Sequence, residues 1–253
     1  KRNKLFINYL TELSELLREI LISVKSTKIK RTTKKISFKY KFITFSLLQI
    51  PNRTVVTDYI IMNDEKAYFY ISSPNNTLLE CIKDGLIAKG TLSLAGAKFE
   101  ISSIRVYAGP KFIRGTYRFS TLSPVVIRAT NNKTARERKI LYLYATDRDF
   151  KEALKLNLIK RFISYYHQVP LDSTFEIKKI HRFKPVAYRI GNRYYRGNRI
   201  IFDVFGSPEL LRFAYESGLG EETFLGFGML KCLAEPKTSK ERYYKKEEPI
   251  QIA

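Results

Sequence analysis

Apolar residues recur every three or four positions near the start of the chain. Phe6, Tyr9, Leu10, Leu13, Leu16, Leu17, Ile20 and Leu21 share one face, with Glu12, Glu15, Arg18 and Glu19 between them, and this predicts an amphipathic helix. A basic stretch over 25–35 follows and lacks helical periodicity, so it reads as a loop. Phe38, Tyr40 and Phe42 alternate within 36–50, which predicts a strand. A second strand is expected over 66–72. Leu78, Leu79, Ile82, Leu86 and Ile87 mark a second helix behind the turn at Ser73-Pro74-Asn75. A third strand over 99–107 ends at Ala108-Gly109-Pro110.

The alternation starts again after that break. Residues 115–130 read as a strand, with Pro124 confining it to an edge or a bulge. Phe150, Leu154, Leu158, Ile159, Phe162 and Ile163 mark a long helix starting near Asp147 or Asp149. A strand over 175–183 comes next, then two hairpin arms, 186–190 and 199–204, around Gly191-Asn192 and Gly197-Asn198. Ser207 caps a helix with Pro208 at its first position, and 224–233 is the closing strand. The second half reads β–α–β–β–α–β and the first half α–β–β–α–β. The fold class expected is α+β, two tandem ferredoxin-like domains over 1–110 and 111–253, with the first strand of the N-terminal domain missing. One α+β domain without a repeat is the alternative.

Charge changes this picture. The 253 residues hold 46 Lys+Arg against 24 Asp+Glu, a net +22, which favours a polyanionic partner. Solubility charge or affinity for a membrane surface would also use it, but the cations sit among aromatics rather than in one tail. Cys81 and Cys232 are far apart with no CxxC, and His167 and His181 pair with neither, so neither a disulfide, a metal site nor a cofactor is expected. A cytoplasmic location follows. No apolar run approaches the ~20 residues of a membrane span, and no signal peptide is visible.

Two regions carry candidate chemistry. Arg182, Lys184, Arg189, Arg193, Arg196 and Arg199 interleave with Phe183, Tyr188, Tyr194 and Tyr195. Arginine grips phosphate and tyrosine stacks on unpaired bases, so this hairpin is a candidate RNA-binding element. An exposed charged hairpin is the plainer account. The second region is the string from Gly218 through Gly220, Thr223 and Gly226 to Gly228. A helix precedes it and a strand follows, the reverse of a dinucleotide-binding order. Such glycines either offer backbone N–H groups to phosphate or permit close packing.

That string, with the preceding Leu210-Leu211-Arg212-Phe213-Ala214-Tyr215-Glu216, resembles the glycine-rich loop of the RAMP superfamily and its repeat-cleaving CRISPR-associated endoribonucleases of family six. The resemblance is specific over about 175–233 and weaker over 41–46. It implies RNA in a basic cleft and metal-independent cleavage of CRISPR repeat RNA, or precursor crRNA, by attack of the 2′-OH. The ends would be a 2′,3′-cyclic phosphate or 3′-phosphate and a 5′-OH. Many relatives hold a histidine in the loop after the first helix and a lysine at the next strand. No histidine stands in that loop here. The matching positions are Lys35 and Lys41, which become the catalytic candidates with Tyr40, and Lys30, Arg31 and Lys34 become RNA contacts. A non-cleaving RNA-binding paralogue and a structural RAMP subunit are the rival functions. A CRISPR effector complex and a second copy of the chain are the further partners considered.

The charge yields a first expectation. If phosphate contacts dominate, affinity for RNA falls by about tenfold or more between about 50 and 200 mM salt. Filter binding across that range checks it, and a flat profile would remove the electrostatic premise.

Overall fold

The computed structural model describes residues 4–28, 42–64, 66–129 and 141–236. Among them the elements run β1 (Lys4–Phe6), α1 (Leu10–Lys28), β2 (Thr44–Phe45), β3 (Arg53–Val56), β4 (Tyr59–Met62), β5 (Ile71–Ser72), α2 (Asn76–Lys89), β6 (Thr91–Leu94) and β7 (Ala97–Glu100). The second half continues with β8 (Gly115–Thr121), β9 (Arg128–Ala129), β10 (Leu141–Tyr142), α3 (Phe150–Tyr166), β11 (Phe175–Ile190), β12 (Arg193–Gly206), α4 (Pro208–Ser217) and β13 (Leu230–Ala234).

The C-terminal half follows the expected plan. Its sheet has the order β11-β12-β8-β13, all pairs antiparallel, with α3 and α4 as the two crossover helices. This is the ferredoxin-like βαββαβ arrangement. Local chemistry explains much of it. The Ser207 hydroxyl caps α4 by accepting from the Leu210 N–H, and Pro208 fits the first turn, where no N–H is needed. Phe150, Leu154, Leu158 and Phe162 form the buried stripe of α3. They pack with Phe119, Phe175, Phe202 and Phe213 in one core cluster.

The hairpin departs from expectation in being continuous. β11 and β12 pair from Phe175↔Gly206 to Ile190↔Arg193 around the single turn Gly191-Asn192. Gly197-Asn198, expected as a second turn, lies inside β12. A Cβ on Gly197 would meet Pro124 Cβ and the Val125 carbonyl at 3.1 Å, so glycine lets the 124–126 segment cross there. Asn198 is wholly buried and serves that crossing. Its Nδ2 donates to the Leu143 and Val125 carbonyls, and its Oδ1 accepts from the Ala145 N–H. Pro124 does sit at a break, since β8 stops at Thr121 and Val125 makes only an isolated bridge to Asn198.

The N-terminal half is less regular. The sequence expects the helix to be running at Phe6 and the strand before it to be missing, but β1 stands there ahead of α1 and pairs with β4, which corrects both expectations. Phe6 packs against Tyr59 in a tilted ring pair with centroids 4.5 Å apart, so its apolar side is met by a strand neighbour. The β3–β4 hairpin, around Thr57-Asp58, was not expected. Val55 and Val56 are exposed, so the usual inward alternation is absent from β3. The strands expected over 36–50 and 66–72 shrink to β2 and β5 plus a bridge, Gln49↔Tyr68, and residues before Phe42 lie outside the described residues. The strand expected over 99–107 ends at Glu100. Beyond it no strand pairs with 101–114 among the described residues, so alternation there finds no ladder. The closing strand begins at Leu230, because Thr223–Leu225 forms a 3-10 turn.

Truncating Asn198 tests the crossing. Asn198→Ala would leave the Ala145 N–H and the Leu143 carbonyl unpaired in the interior, at a cost of about 2–4 kcal/mol. Urea denaturation of the variant and parent measures it, and a loss below about 0.5 kcal/mol would show that other groups take over.

Candidate RNA interface

The long hairpin carries its cations outward. Arg182, Lys184, Arg189, Arg193, Arg196 and Arg199 are all exposed, as is Tyr194 at 65%. The pairing sorts them by face. Lys184 stands opposite Arg199, and Tyr188 opposite Tyr195, on one side, while Arg189 stands opposite Tyr194 on the other. Tyr188 and Tyr195 pack against Phe227, with centroids 6.1 and 5.6 Å away. The hairpin tip reaches the first helix, where the Gly191 N–H donates to the Thr11 hydroxyl. Burial raises the Tyr188 and Tyr9 hydroxyls above the ordinary tyrosine pKa, and Arg199 and Arg53 oppose that rise at both.

The glycine-rich string is placed differently. Gly218, Gly220, Gly226 and Gly228 are buried and all have φ between 77° and 87°. A Cβ would meet Thr44 Oγ1 at 2.8 Å from Gly218, the Val126 carbonyl oxygen at 2.4 Å from Gly220, and Phe45 Cε2 at 2.5 Å from Gly226. On Gly228 it would lie 2.1 Å from the Leu219 carbonyl oxygen. Nearby N–H groups are used inside the chain. Gly228 donates to Pro124, Glu221 to Val126, Gly226 to Thr223, and Leu219 to Gly228. The arrangement is a close-packed joint, the second of the two uses that the sequence leaves open for these glycines. Thr223 is 3% exposed and its hydroxyl lies 3.4 Å from Arg161.

Arg161 was not singled out in the sequence. It donates to the carbonyls of Ser217, Gly218 and Gly220, and its guanidinium lies about 6 Å from the rings of Phe42 and Phe213. Burial lowers its pKa to about 10, which still leaves it charged at neutral pH. The signal was present, since Arg161 follows Leu154 by seven and Leu158 by three and so falls on the apolar stripe of α3. Arg128 was also missed. It ion-pairs with both Glu221 and Glu222 and ties β9 to the loop.

The catalytic candidates Lys35, Tyr40 and Lys41, with Lys30, Arg31 and Lys34, lie outside the described residues. Their flank is visible. Phe42 is 2% exposed under Arg161, and the Thr44 hydroxyl donates to the Phe227 carbonyl, so the chain leaves that segment bound to the glycine loop. His167 ends α3 with a left-handed backbone, φ 58°. His181 lies on β11 with Nε2 2.7 Å from Asp203 Oδ2. Among the described residues no three His, Cys, Asp or Glu side chains cluster as metal ligands, and no helix is long and apolar enough to cross a membrane.

Ferredoxin-like units joined through a glycine-rich loop of this kind make the chain a RAMP-type protein. Residues 108–232 match the family described as CRISPR associated protein Cas6, C-terminal, and residues 16–105 match CRISPR-associated protein Cas6, N-terminal. The chain is 36% identical over 193 residues to CRISPR-associated endoribonuclease Cas6 1 of Methanocaldococcus jannaschii, covering 76% of this chain and 74% of that one. A Cas6-related protein of Pyrococcus furiosus superimposes with a TM-score of 0.81 at 27% identity, over 93% of this chain and 98% of that one. A RAMP protein described as binding different RNA substrates gives a TM-score of 0.79 at 30% identity, over 92% and 95%. The chain belongs to the Cas6 family of CRISPR-associated proteins, and its fold is the family's tandem ferredoxin-like α+β architecture.

The loop geometry is testable. Gly228→Ala forces both a left-handed alanine and a backbone overlap, so it is expected to cost about 2 kcal/mol or more. Gly191→Ala, with positive φ but nothing within 4 Å, is expected to cost only the strain of about 1–2 kcal/mol. Thermal melts of both variants check the order, and a Gly191 variant less stable than the Gly228 variant would refute the packing role.

Proposed function

We propose that this chain is an endoribonuclease that binds CRISPR repeat RNA and cuts precursor crRNA. The carrying observation is the family membership joined to a hairpin whose six cations all face solvent. The two domains divide near residue 110, where the two matched family regions also meet, between 105 and 108. Arg182, Lys184, Arg189, Arg193, Arg196 and Arg199 supply phosphate and base contacts. The glycine loop contributes by holding Phe42 and Thr44 in place. Two free cysteines fit a reducing cytoplasm.

Cleavage needs no metal if the RNA's own 2′-OH attacks the phosphorus. The protein then has to align the nucleophile, stabilise the added negative charge and assist the leaving 5′-oxygen. Lys41, just before the anchored Phe42, is assigned the charge-stabilising role, with Lys35 next and Tyr40 beside them. Lysine with an ordinary pKa near ~10.4 relays protons poorly at neutral pH, so turnover is slow. The absence of a histidine from 22–41 favours one second reading, an RNA-binding member of the family that does not cut.

Single-turnover cleavage of repeat RNA in EDTA compares the parent with Lys41→Ala and Lys35→Ala. A rate loss of about a hundredfold for Lys41→Ala, with RNA affinity retained, is expected. Equal rates in all three would place the active site elsewhere. An intact parent that binds repeat RNA without cutting it would establish the second reading.

A further inference from the structure

The C-terminal sheet has one face in the core and one face open. Ile200, Phe202 and Val204 of β12 are at most 2% exposed, beneath α3 and α4, while Arg199, Ile201, Asp203 and Phe205 alternate with them on the other side. The register carries this open face across all four strands. One row runs Arg182, Ile201, Ser120, Lys231 from β11 through β12 and β8 to β13. The row above it is Lys184 opposite Arg199, and the row below is Lys179, Asp203 and Arg118.

Charge on this face is one-sided. Lys179, Arg182, Lys184, Arg199 and Lys231 form no ion pair among the described residues. Asp203 is already committed. It takes a bidentate contact from Arg118 and a third from His181, which hold its pKa down to about 2. Further down the same face Glu176 pairs with Lys178. The ladder between β11 and β12 shifts register between Ile180 and Arg182, so His181 is the extra residue of a bulge, and its ring reaches Asp203. Its Nδ1 has no hydrogen-bond partner among the described residues. Half-buried Ile201 lies between these cations, and Phe205 lies one row beyond Asp203.

We infer that the RNA contacts of the hairpin continue past Arg182, Lys184 and Arg199 across this open sheet face to Lys179 and Lys231, and that the face takes an unpaired stretch of RNA. The inference rests on the RNA-binding reading above. Four strands about 4.8 Å apart make a twisted, open face about 15 Å across. An open face with apolar and ring groups flanked by cations suits splayed bases and their phosphates. A duplex keeps its bases stacked inside and can offer such a face only its backbone.

Fluorescence anisotropy with the full chain tests this. The probes are an oligouridine of about 12 nucleotides and an RNA duplex of the same length. The variants are Lys179→Glu with Lys231→Glu, the milder Lys179→Gln with Lys231→Gln, and Arg193→Ala at the tip. The glutamate pair is expected to weaken oligouridine binding about tenfold or more and duplex binding less than about twofold, with the glutamine pair intermediate. Unchanged oligouridine binding in both pairs, or equal losses for both probes, overturns the inference while leaving the RNA-binding reading intact. A parent that binds repeat RNA but neither probe also overturns the inference, whereas a parent that binds no repeat RNA defeats that reading itself. A poly-glutamate competitor as effective as RNA at equal charge would show a surface for acidic proteins and also overturn the inference.

Discussion

The joint between the two halves depends on a charged group held partly buried between helix and loop. Arg161 gives its N–H groups to the carbonyls of Ser217, Gly218 and Gly220, at the C-terminal end of α4, where the helix leaves carbonyls without internal partners and its dipole is negative. Removing a guanidinium from water costs several kcal/mol unless its donors are met. Here they are met by backbone oxygens that would otherwise be orphaned themselves, so each side offsets the other's desolvation. The turn that presents those carbonyls requires positive φ at Gly218 and Gly220, and their missing Cβ atoms let Thr44 and Val126 come close. The arginine, the glycines and the entry to β2 therefore form one unit.

That dependence explains which parts of the fold were legible in the sequence. The C-terminal βαββαβ unit announces itself locally, through the Ser207-Pro208 cap, the four-residue spacing of Phe150, Leu154, Leu158 and Phe162, and the Gly191-Asn192 turn. The N-terminal half is set by what each segment meets. Alternation over 99–107 is a real pattern, yet a strand needs a neighbouring ladder, and past the single Ile101 N–H bond to the Gly90 carbonyl no strand pairs with the chain among the described residues. Val55 and Val56 form a strand although both face solvent, because β4 supplies the ladder.

The candidate site divides along the same line. Exposure of the hairpin cations followed from sequence alone, since a two-stranded arm with six cations between Arg182 and Arg199 has no way to bury them all. The glycines were ambiguous because one composition serves two opposite purposes. A loop that cradles phosphate must leave N–H groups free, whereas a packing loop consumes them. Only the partners decide, and those partners, Pro124, Val126 and Phe45, are 94 to 181 residues away in the chain, as the numbering shows. Arg161 was hidden for a related reason, since charge at a stripe position reads as an interruption until the carbonyls it serves are seen.

A consequence for recognition follows from the consumed N–H groups. A phosphate bound at Glu221, Gly226 or Gly228 would have to displace the Val126, Thr223 or Pro124 carbonyl, leaving a buried acceptor unsatisfied at about 1–3 kcal/mol each. An exposed arginine such as Arg182 or Arg199 gives up only water and a condensed counter-ion on meeting the same phosphate, which costs far less. On our proposal, then, RNA affinity resides in the side chains of β11 and β12, and the glycine loop acts at one remove. It fixes Phe42 through the ring contact with Arg161, and Thr44 through the Phe227 carbonyl. On the same proposal, geometry at the scissile phosphate and affinity for the rest of the RNA are carried by different parts of the chain, so each can vary without loss of the other.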